Sequence, residues 1–561
     1  MKLRDQRGAG LLGRAPWAPW APWAPWALWA LWALAAPLVA HPSSAAPAAA
    51  EEPAPEDGFD PSGFEPSPPE PAAGDFDAGG FDAGGFDAGG FDAGGFDAGG
   101  FDAAQGAPAA PPPPPSPLQL DGFARSHWAS WVQRYGEGYA AGDLWAKGRQ
   151  SLDLRARYKR GDLRLAAEGH VEYDLLYDAR GQGSFDAGQV EAYRWRYISG
   201  QQLAAYRLGA LEVSSGRQIV AWGEVDGLSA LDHINPRDQR EPGVADVDDI
   251  RLAVWLTRLR YAQGPFDVDL IVRHEGSYGL LVPPLADYSP LRAALPPQLS
   301  SLIAPGQAAR FTHDREGVSA DTQSVFLRAL YRGEGVDVGL YAARLVDLQG
   351  VLNIDPAQVF QALLSQQDLE LPYAHRRFGL VGASAATTVG SFLLKGEAVG
   401  YLRRATNLGG PSALSNPAAG LRAENINTLS WALSATYAGL RDTTIALEYS
   451  QGSTLGRSYD FFVPPTMPVV SARLSRKLLR ERLTLSALAL VFDPAPAAEA
   501  WPLPARRGGL ARVDALYALT DQLKLSVGLI EYFAGEEFGP FYGLDHHARL
   551  FGQLRWDFTV Y

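Results

Sequence analysis

Leu152-Asp153-Leu154-Arg155-Ala156-Arg157-Tyr158, then Lys159-Arg160-Gly161-Asp162, then Leu163-Arg164-Leu165-Ala166-Ala167-Glu168-Gly169-His170-Val171-Glu172-Tyr173-Asp174: this stretch decides the fold. Apolar and charged residues alternate on both sides of a short polar connector, the period of a strand with one apolar and one polar face. Leu152, Leu154, Ala156 and Tyr158 share one face; Asp153, Arg155, Arg157 and Lys159 share the other. The same alternation returns in Phe266–Arg273 and in the last segment. There Leu550, Gly552, Leu554, Trp556, Phe558 and Val560 interleave with Gln553, Arg555, Asp557 and Thr559.

A soluble sandwich turns such apolar faces inward, whereas a membrane barrel turns them to lipid. Connector length separates the two. Short connectors are expected at Lys159–Asp162, Ser199–Gln202, Ala262–Pro265, Gly333–Val336, Ala438–Asp442, Leu479–Leu483 and Leu519–Leu523, with a tight turn near Val389. They alternate with long segments at roughly 134–149, 178–188, 214–250, 276–320, 349–372, 403–424, 452–467, 494–509 and 534–545. Short turns on one side and long loops on the other predict an all-β, transmembrane antiparallel β-barrel over residues 118–561. The count is about eighteen strands, with sixteen as the other reading. No run of 18 apolar residues occurs in this region, so no membrane helix is expected. The final Tyr561 resembles the aromatic signal read by barrel assembly machinery, but it is out of step with Phe558 and Trp556.

Two segments precede the barrel. Residues 1–45 read as a signal peptide: a basic start, Trp-Ala-Pro triplets, and one proline-free apolar core, Trp26–Ala36. That core is short for a span of about 20 residues, with cleavage expected after Ala40 or Ala45 and a retained anchor as the other reading. Residues 46–117 are low complexity, with Phe-Asp-Ala-Gly-Gly units starting at Phe76, Phe81, Phe86, Phe91 and Phe96 and a proline run at Pro111–Pro115. Such a segment buries too little to offset its ordering entropy, and reads as a disordered acidic tether in the periplasm. It is either an inert spacer or a weak binder of a periplasmic partner.

Charge supports this division. The net −14 includes fourteen Asp and Glu and no Lys or Arg in residues 41–117, leaving a nearly neutral body. Nothing suggests nucleic acid. The absence of cysteine excludes disulfides, thiolate metal sites and cysteine nucleophiles. The expected partners are outer-membrane lipid, the assembly machinery and a small-molecule solute.

One segment after the fifth strand differs from the other loops. It reads Gly216-Arg217-Gln218-Ile219-Val220-Ala221-Trp222-Gly223-Glu224, then Leu231-Asp232-His233-Ile234-Asn235-Pro236-Arg237-Asp238. This series resembles the family called domain of unknown function 1302, over about 205–275. The resemblance implies an outer-membrane, porin-like barrel serving small solutes, with hydrophobic or aromatic compounds as the class it suggests. Two physical readings of the segment stand: an inward-folded constriction lining the pore, or a structural clasp pinning the loop to the wall. Arg217, Glu224, Asp232, Arg237 and Asp238 are the candidate lining charges; Gly216, Trp222, Gly223, Asn235 and Pro236 are the candidate packing residues.

The inward faces add Arg155, Arg157, Arg164, Glu168, Arg194 and Arg196 as candidate pore lining. Both signs are present, which suits a wet lumen. His170 lies between Glu168 and Glu172, but neighbours two apart on a strand stand about 7 Å from each other, too far for a relay. No hydrolase, nucleotide-binding or zinc-protease motif is present, so neither an enzyme nor a cofactor is expected. Asp355-Pro356 before Val359, Phe360, Leu363 and Leu364 predicts a short capped helix.

Overall fold

The computed structural model describes residues 117–132, 144–245, 249–294, 303, 307–408, 421–456, 464–494, 506–535 and 539–560. The signal-peptide reading, residues 46–116 of the tether and Tyr561 lie outside the described residues. Eighteen strands form one closed antiparallel sheet. They are β1 (Leu118–Trp131), β2 (Trp145–Arg160), β3 (Leu163–Asp174), β4 (Trp195–Leu208), β5 (Leu211–Gln218) and β6 (Val254–Gln263). Next come β7 (Phe266–Arg273), β8 (Ser324–Arg332), β9 (Val336–Val346), β10 (Arg377–Val389), β11 (Phe392–Leu408) and β12 (Arg422–Leu440). The last are β13 (Thr443–Leu455), β14 (Thr466–Leu478), β15 (Leu483–Phe492), β16 (Gly509–Ala518), β17 (Leu523–Phe533) and β18 (Arg549–Val560). Each strand pairs with its chain neighbours, and β1 pairs with β18 from Leu120↔Val560 to Trp131↔Arg549, which closes the ring.

Polarity is inverted relative to a water-soluble protein. On outward faces Leu340 is 61% exposed, Leu433 53% and Leu447 55%, while the alternate inward Glu397 and Glu448 are buried. Outward aromatics gather at the two rims. Near the short turns, Phe266 packs on Tyr331 at 5.4 Å and Phe392 on Tyr437 at 4.7 Å. At the opposite rim Trp128 stacks on Trp145 at 5.7 Å, with Trp195 and Trp255 exposed nearby. A closed sheet with an apolar belt between aromatic girdles is a bacterial outer-membrane barrel. Among the described residues no helix is long and apolar enough to cross a membrane.

Short turns and long loops alternate as expected, with three differences. Ser199–Gln202 is not a connector: β4 runs through it, and a register shift beside Ala167 and Gly169 lets the Glu168 carboxylate accept from Gln201 N at 3.2 Å. The turn is instead Gly209-Ala210, where Gly209 has φ 60°. In the sequence Tyr193, Trp195 and Tyr197 alternate with Arg194 and Arg196 like a strand, yet β4 begins only at Trp195, because Ala187–Tyr193 is a helix capped by the Asp186 side chain. Finally, β5 extends to Gln218, so the distinctive loop covers 219–253 rather than 214–250.

The long loops also carry structure. A helix, Pro356–Ser365, starts with Asp355 accepting from Ala357 N at 3.0 Å, as its sequence predicted. The largest apolar core lies inside the barrel. There Trp222, Leu231 and Ile234 of the 219–253 loop meet Leu256, Ile271, Phe326, Phe378 and Val399 of the wall.

Outward and inward positions should respond oppositely to charge. Leu433→Arg is expected to cost about 2–4 kcal/mol of folding stability in liposomes if it lies near the bilayer midplane. Ser450→Arg, on the inward face of β13, should cost little. Urea unfolding of the two variants in lipid vesicles checks this.

Candidate functional site

The 219–253 loop leaves the wall between β5 and β6 and folds into the lumen. Its neck is closed by one amide. Asn235 Oδ1 accepts from Val220 N at 2.7 Å, and its Nδ2 donates to Gln218 O and Leu252 O at 2.9 Å each. Two backbone bonds continue the zip, Leu252 N to Pro236 O at 2.8 Å and Asp238 N to Ile250 O at 2.7 Å. Asp232 takes Arg237 at 2.8 Å and Arg251 at 2.9 Å. A buried loop must pair its backbone without a sheet ladder, and these side chains do so.

One arm of the loop lies against β8 to β13. Trp222 is 2% exposed, and its ring meets Phe326 and Tyr341 edge-on, each at 5.4 Å. The anchor is Glu397 on β11, which accepts from Val225 N at 2.7 Å, Ala230 N at 3.0 Å and Ser229 Oγ at 2.9 Å, and from Glu224 N. Gly223 makes this approach fit: at φ 98°, a Cβ there would stand 2.4 Å from Glu397 Oε1. Further along, Glu448 on β13 accepts from Gly227 N at 3.1 Å, and Lys395 pairs with Asp226 at 2.8 Å.

The other arm reaches the far side. Arg240, 2% exposed, pairs with Asp238 at 2.6 Å and with Glu172 on β3 at 3.0 Å. Glu241 receives Lys147 and Arg149 of β2, with Arg549 of β18 at 3.6 Å. Arg512 on β16 donates to Gly243 O and Val244 O at 3.1 and 3.0 Å, and Tyr532 on β17 donates to Pro242 O at 2.7 Å. One loop is therefore tied to the wall on both sides of the lumen.

The sequence-predicted residues divide accordingly. Glu224, Asp232, Arg237, Asp238, Trp222, Gly223, Asn235 and Pro236 lie in the folded loop. Gly216 is in β5, where a Cβ would stand 2.1 Å from Gln202 O. Two lining assignments are corrected. Arg217 shares the outward face of β5 with exposed Trp255 as its cross-strand partner and pairs with Glu275 at 2.6 Å, because the strand runs on to Gln218, through the first five residues of the segment read as a loop. Arg194 caps the Ala187–Tyr193 helix in a loop and pairs with Asp178 at 3.0 Å.

The wall holds Arg155 against Asp153 at 2.8 Å, Arg157 against Asp121 at 2.7 Å, Arg164 against Glu212, and Arg196 opposite Glu172. His170 stands 3.6 Å from Asp153 and 3.7 Å from Glu172. Sequence reasoning missed Arg240 and Glu241, although only Gln239 separates them from the Asn-Pro-Arg-Asp series. It also missed Arg273, fully buried and donating to Ile234 O at 3.1 Å and Val346 O at 2.9 Å.

Electrostatics within the loop follow its burial. Burial pushes the Glu224 carboxyl above the usual range. It drives His233 down to about 4, helped by the nearby Arg404 guanidinium; His233 Nε2 lies 3.1 Å from Tyr401 Oη.

Residues 196–463 match the family model described as a protein of unknown function, DUF1302. The resemblance read from the Gly216–Asp238 series thus extends well past 275. No curated protein matches the chain at a significant level. Among solved structures it is similar to OccK11 (OpdR) of Pseudomonas aeruginosa, at 12% identity and TM-score 0.41, covering 79% of this chain and 96% of that one. It is similar to OpdK of the same organism with vanillate, at 12% identity and TM-score 0.43, covering 79% and 99%. It is also similar to OccAB3 of Acinetobacter baumannii, at 8% identity and TM-score 0.42, covering 79% and 99%.

Two outcomes are expected. Glu397→Ala strands buried backbone donors and should lower stability by about 2–4 kcal/mol, read as earlier thermal unfolding and new proteolysis within 219–253. Neutral His233 stabilises the docked loop above its ordinary value of 6.5, and that contribution is lost as pH falls toward about 4. Hydrogen exchange in 219–253 should therefore accelerate across that window in the native chain and less so in His233→Gln.

Proposed function

We propose that this barrel is a porin-like channel that passes small solutes down their gradients, with the 219–253 loop setting what passes. The observation that carries the reading is a wide closed barrel whose lumen holds the 219–253 loop, pinned through polar ties to a charged wall. An eighteen-stranded ring encloses more space than inward side chains alone can fill. Water and loop share that space, and Arg157, 39% exposed in its side chain, meets the water. The resemblance to the DUF1302 family adds hydrophobic or aromatic compounds as the solute class.

A second reading has its own support. Because the loop is tied on both sides of the lumen, the barrel can instead be occluded, a docking or structural barrel whose acidic tether recruits periplasmic partners. Planar-bilayer recording separates the two. The channel reading expects steady single-channel steps, and replacement of residues 222–247 by a short Gly-Ser bridge should raise the step size severalfold. Silence from a folded, inserted barrel would favour the second reading. A panel of aromatic and aliphatic solutes in a liposome-swelling assay tests the solute class.

A further inference from the structure

A charge on a lipid-facing wall needs a partner, and on one arc of the barrel the chain provides none. Outward positions of β8 to β12 are mainly apolar and include no Asp or Glu. The charges there are Arg344 on β9, Arg377 at the start of β10 and Arg403 on β11, all toward the end away from the short turns. Register fixes their height. Arg344 lies in the row Thr257, Val272, Val325, Arg344, Gly379, Leu402, and Thr257 is two residues from the rim residue Trp255. Arg344 therefore stands just inside the aromatic girdle, with exposed Val325, Leu327, Val381 and Leu402 around it.

Arg403 reaches the same face through a bulge. Tyr401 is buried inward and Arg404 turns inward to Asp347 at 2.8 Å; the register shift between them leaves Leu402 and Arg403 outward. Arg403 N donates to Asn427 Oδ1 at 2.9 Å, which holds the residue at φ 58°, a conformation that glycine adopts more readily. Gly379 stands between β9 and β11 in this row and adds no side chain, so Arg344 and Arg403 flank a gap two strand spacings, roughly 10 Å, across. Arg377, above the gap, donates to Gln323 O and to Ala320 O. Arg344 and Arg403 are exposed, and among the described residues neither side chain makes an ion pair or a hydrogen bond. Asp321 before β8 and Glu424 near the start of β12 are exposed carboxylates that do not pair with them. Arg217 at the same rim, by contrast, is neutralised by Glu275 at 2.6 Å. A bare guanidinium among lipid-facing apolar residues is costly unless its stem carries it to an anionic head group.

We propose that Arg344 and Arg403, with Arg377 above them, form a binding site on the outside of the barrel for a phosphate group of lipid A, the glycolipid of the outer leaflet. The end of the barrel away from the short turns faces the cell exterior, so the head groups at this height belong to that leaflet. A guanidinium fork matches phosphate oxygens in pairs, and two forks flanking a gap without a side chain leave room for one head group. The site lies on the lipid side of the wall and is independent of whether the lumen conducts.

The test titrates the full chain, purified in a non-ionic detergent, with fluorescently labelled lipid A. Saturable binding is expected, roughly tenfold or more tighter than to the same lipid stripped of its phosphates. R344Q and R403Q should each weaken it roughly fivefold, and the pair by more than either alone. R344K with R403K keeps the charge and should retain most of the binding. R441Q with R480Q, which removes the same charge from the exposed short turns, should leave it unchanged. The stripped-lipid comparison needs no variant and decides the matter even where a substitution impairs folding. The proposal is overturned if stripped and intact lipid A bind alike, or if folded R344Q/R403Q binds lipid A as the native chain does. It is also overturned if phosphatidylglycerol binds as tightly as lipid A, or if millimolar inorganic phosphate displaces the lipid. Silent planar bilayers with lipid A binding intact would count against the channel and leave this site standing.

Discussion

Closure of the sheet is the constraint on which everything else depends. Inside a bilayer an unpaired backbone amide has no water to turn to, so a sheet must have no edge. The β1–β18 ladder, twelve residue pairs from Leu120↔Val560 to Trp131↔Arg549, removes the edge. Once the ring is closed, alternation along each strand does the rest: one set of side chains meets hydrocarbon, the other a cavity.

A cavity of this width creates the second problem, and the 219–253 loop answers it. Its apolar residues Trp222, Leu231 and Ile234 build a core against Phe326 and Phe378, on the inner face where a barrel would otherwise be wet. Its polar backbone is matched by side chains projected from the wall, above all Glu397, Glu448, Arg512 and Tyr532. The clasp and constriction readings of the segment are therefore compatible, because the residues that pin the loop also hold it in the lumen.

The ring was legible because alternation and connector length are local properties. Leu152–Tyr158 shows its two faces without any partner. Errors arose where a local signal was ambiguous. Ser199-Gly200-Gln201-Gln202 looks like a turn, yet Glu168 on the neighbouring strand supplies an acceptor that lets β4 run through it. Tyr193, Trp195 and Tyr197 alternate, yet an Asp186 cap draws Tyr193 into a helix. The loop motif was visible as a cluster of glycine, tryptophan and charge, but its anchors were not. Glu397 lies more than 160 residues from the amides it receives, and Arg512 more than 260 from the carbonyls it meets. Nothing in short-range spacing marks such pairs. Gly223 is the exception in hindsight, since its positive φ and the close approach of the Ser229 hydroxyl and the Glu397 carboxylate explain why that position carries no side chain.

The most direct measurement is spin-label accessibility along β13 in lipid vesicles. Single labels at Ile445, Leu447 and Tyr449 should be reached by oxygen dissolved in the bilayer, and labels at Ala446, Glu448 and Ser450 by a water-soluble nickel chelate or by neither. A two-residue alternation of this kind supports the inverted barrel. Equal accessibility at all six positions, or maxima shifted by one residue, would contradict it.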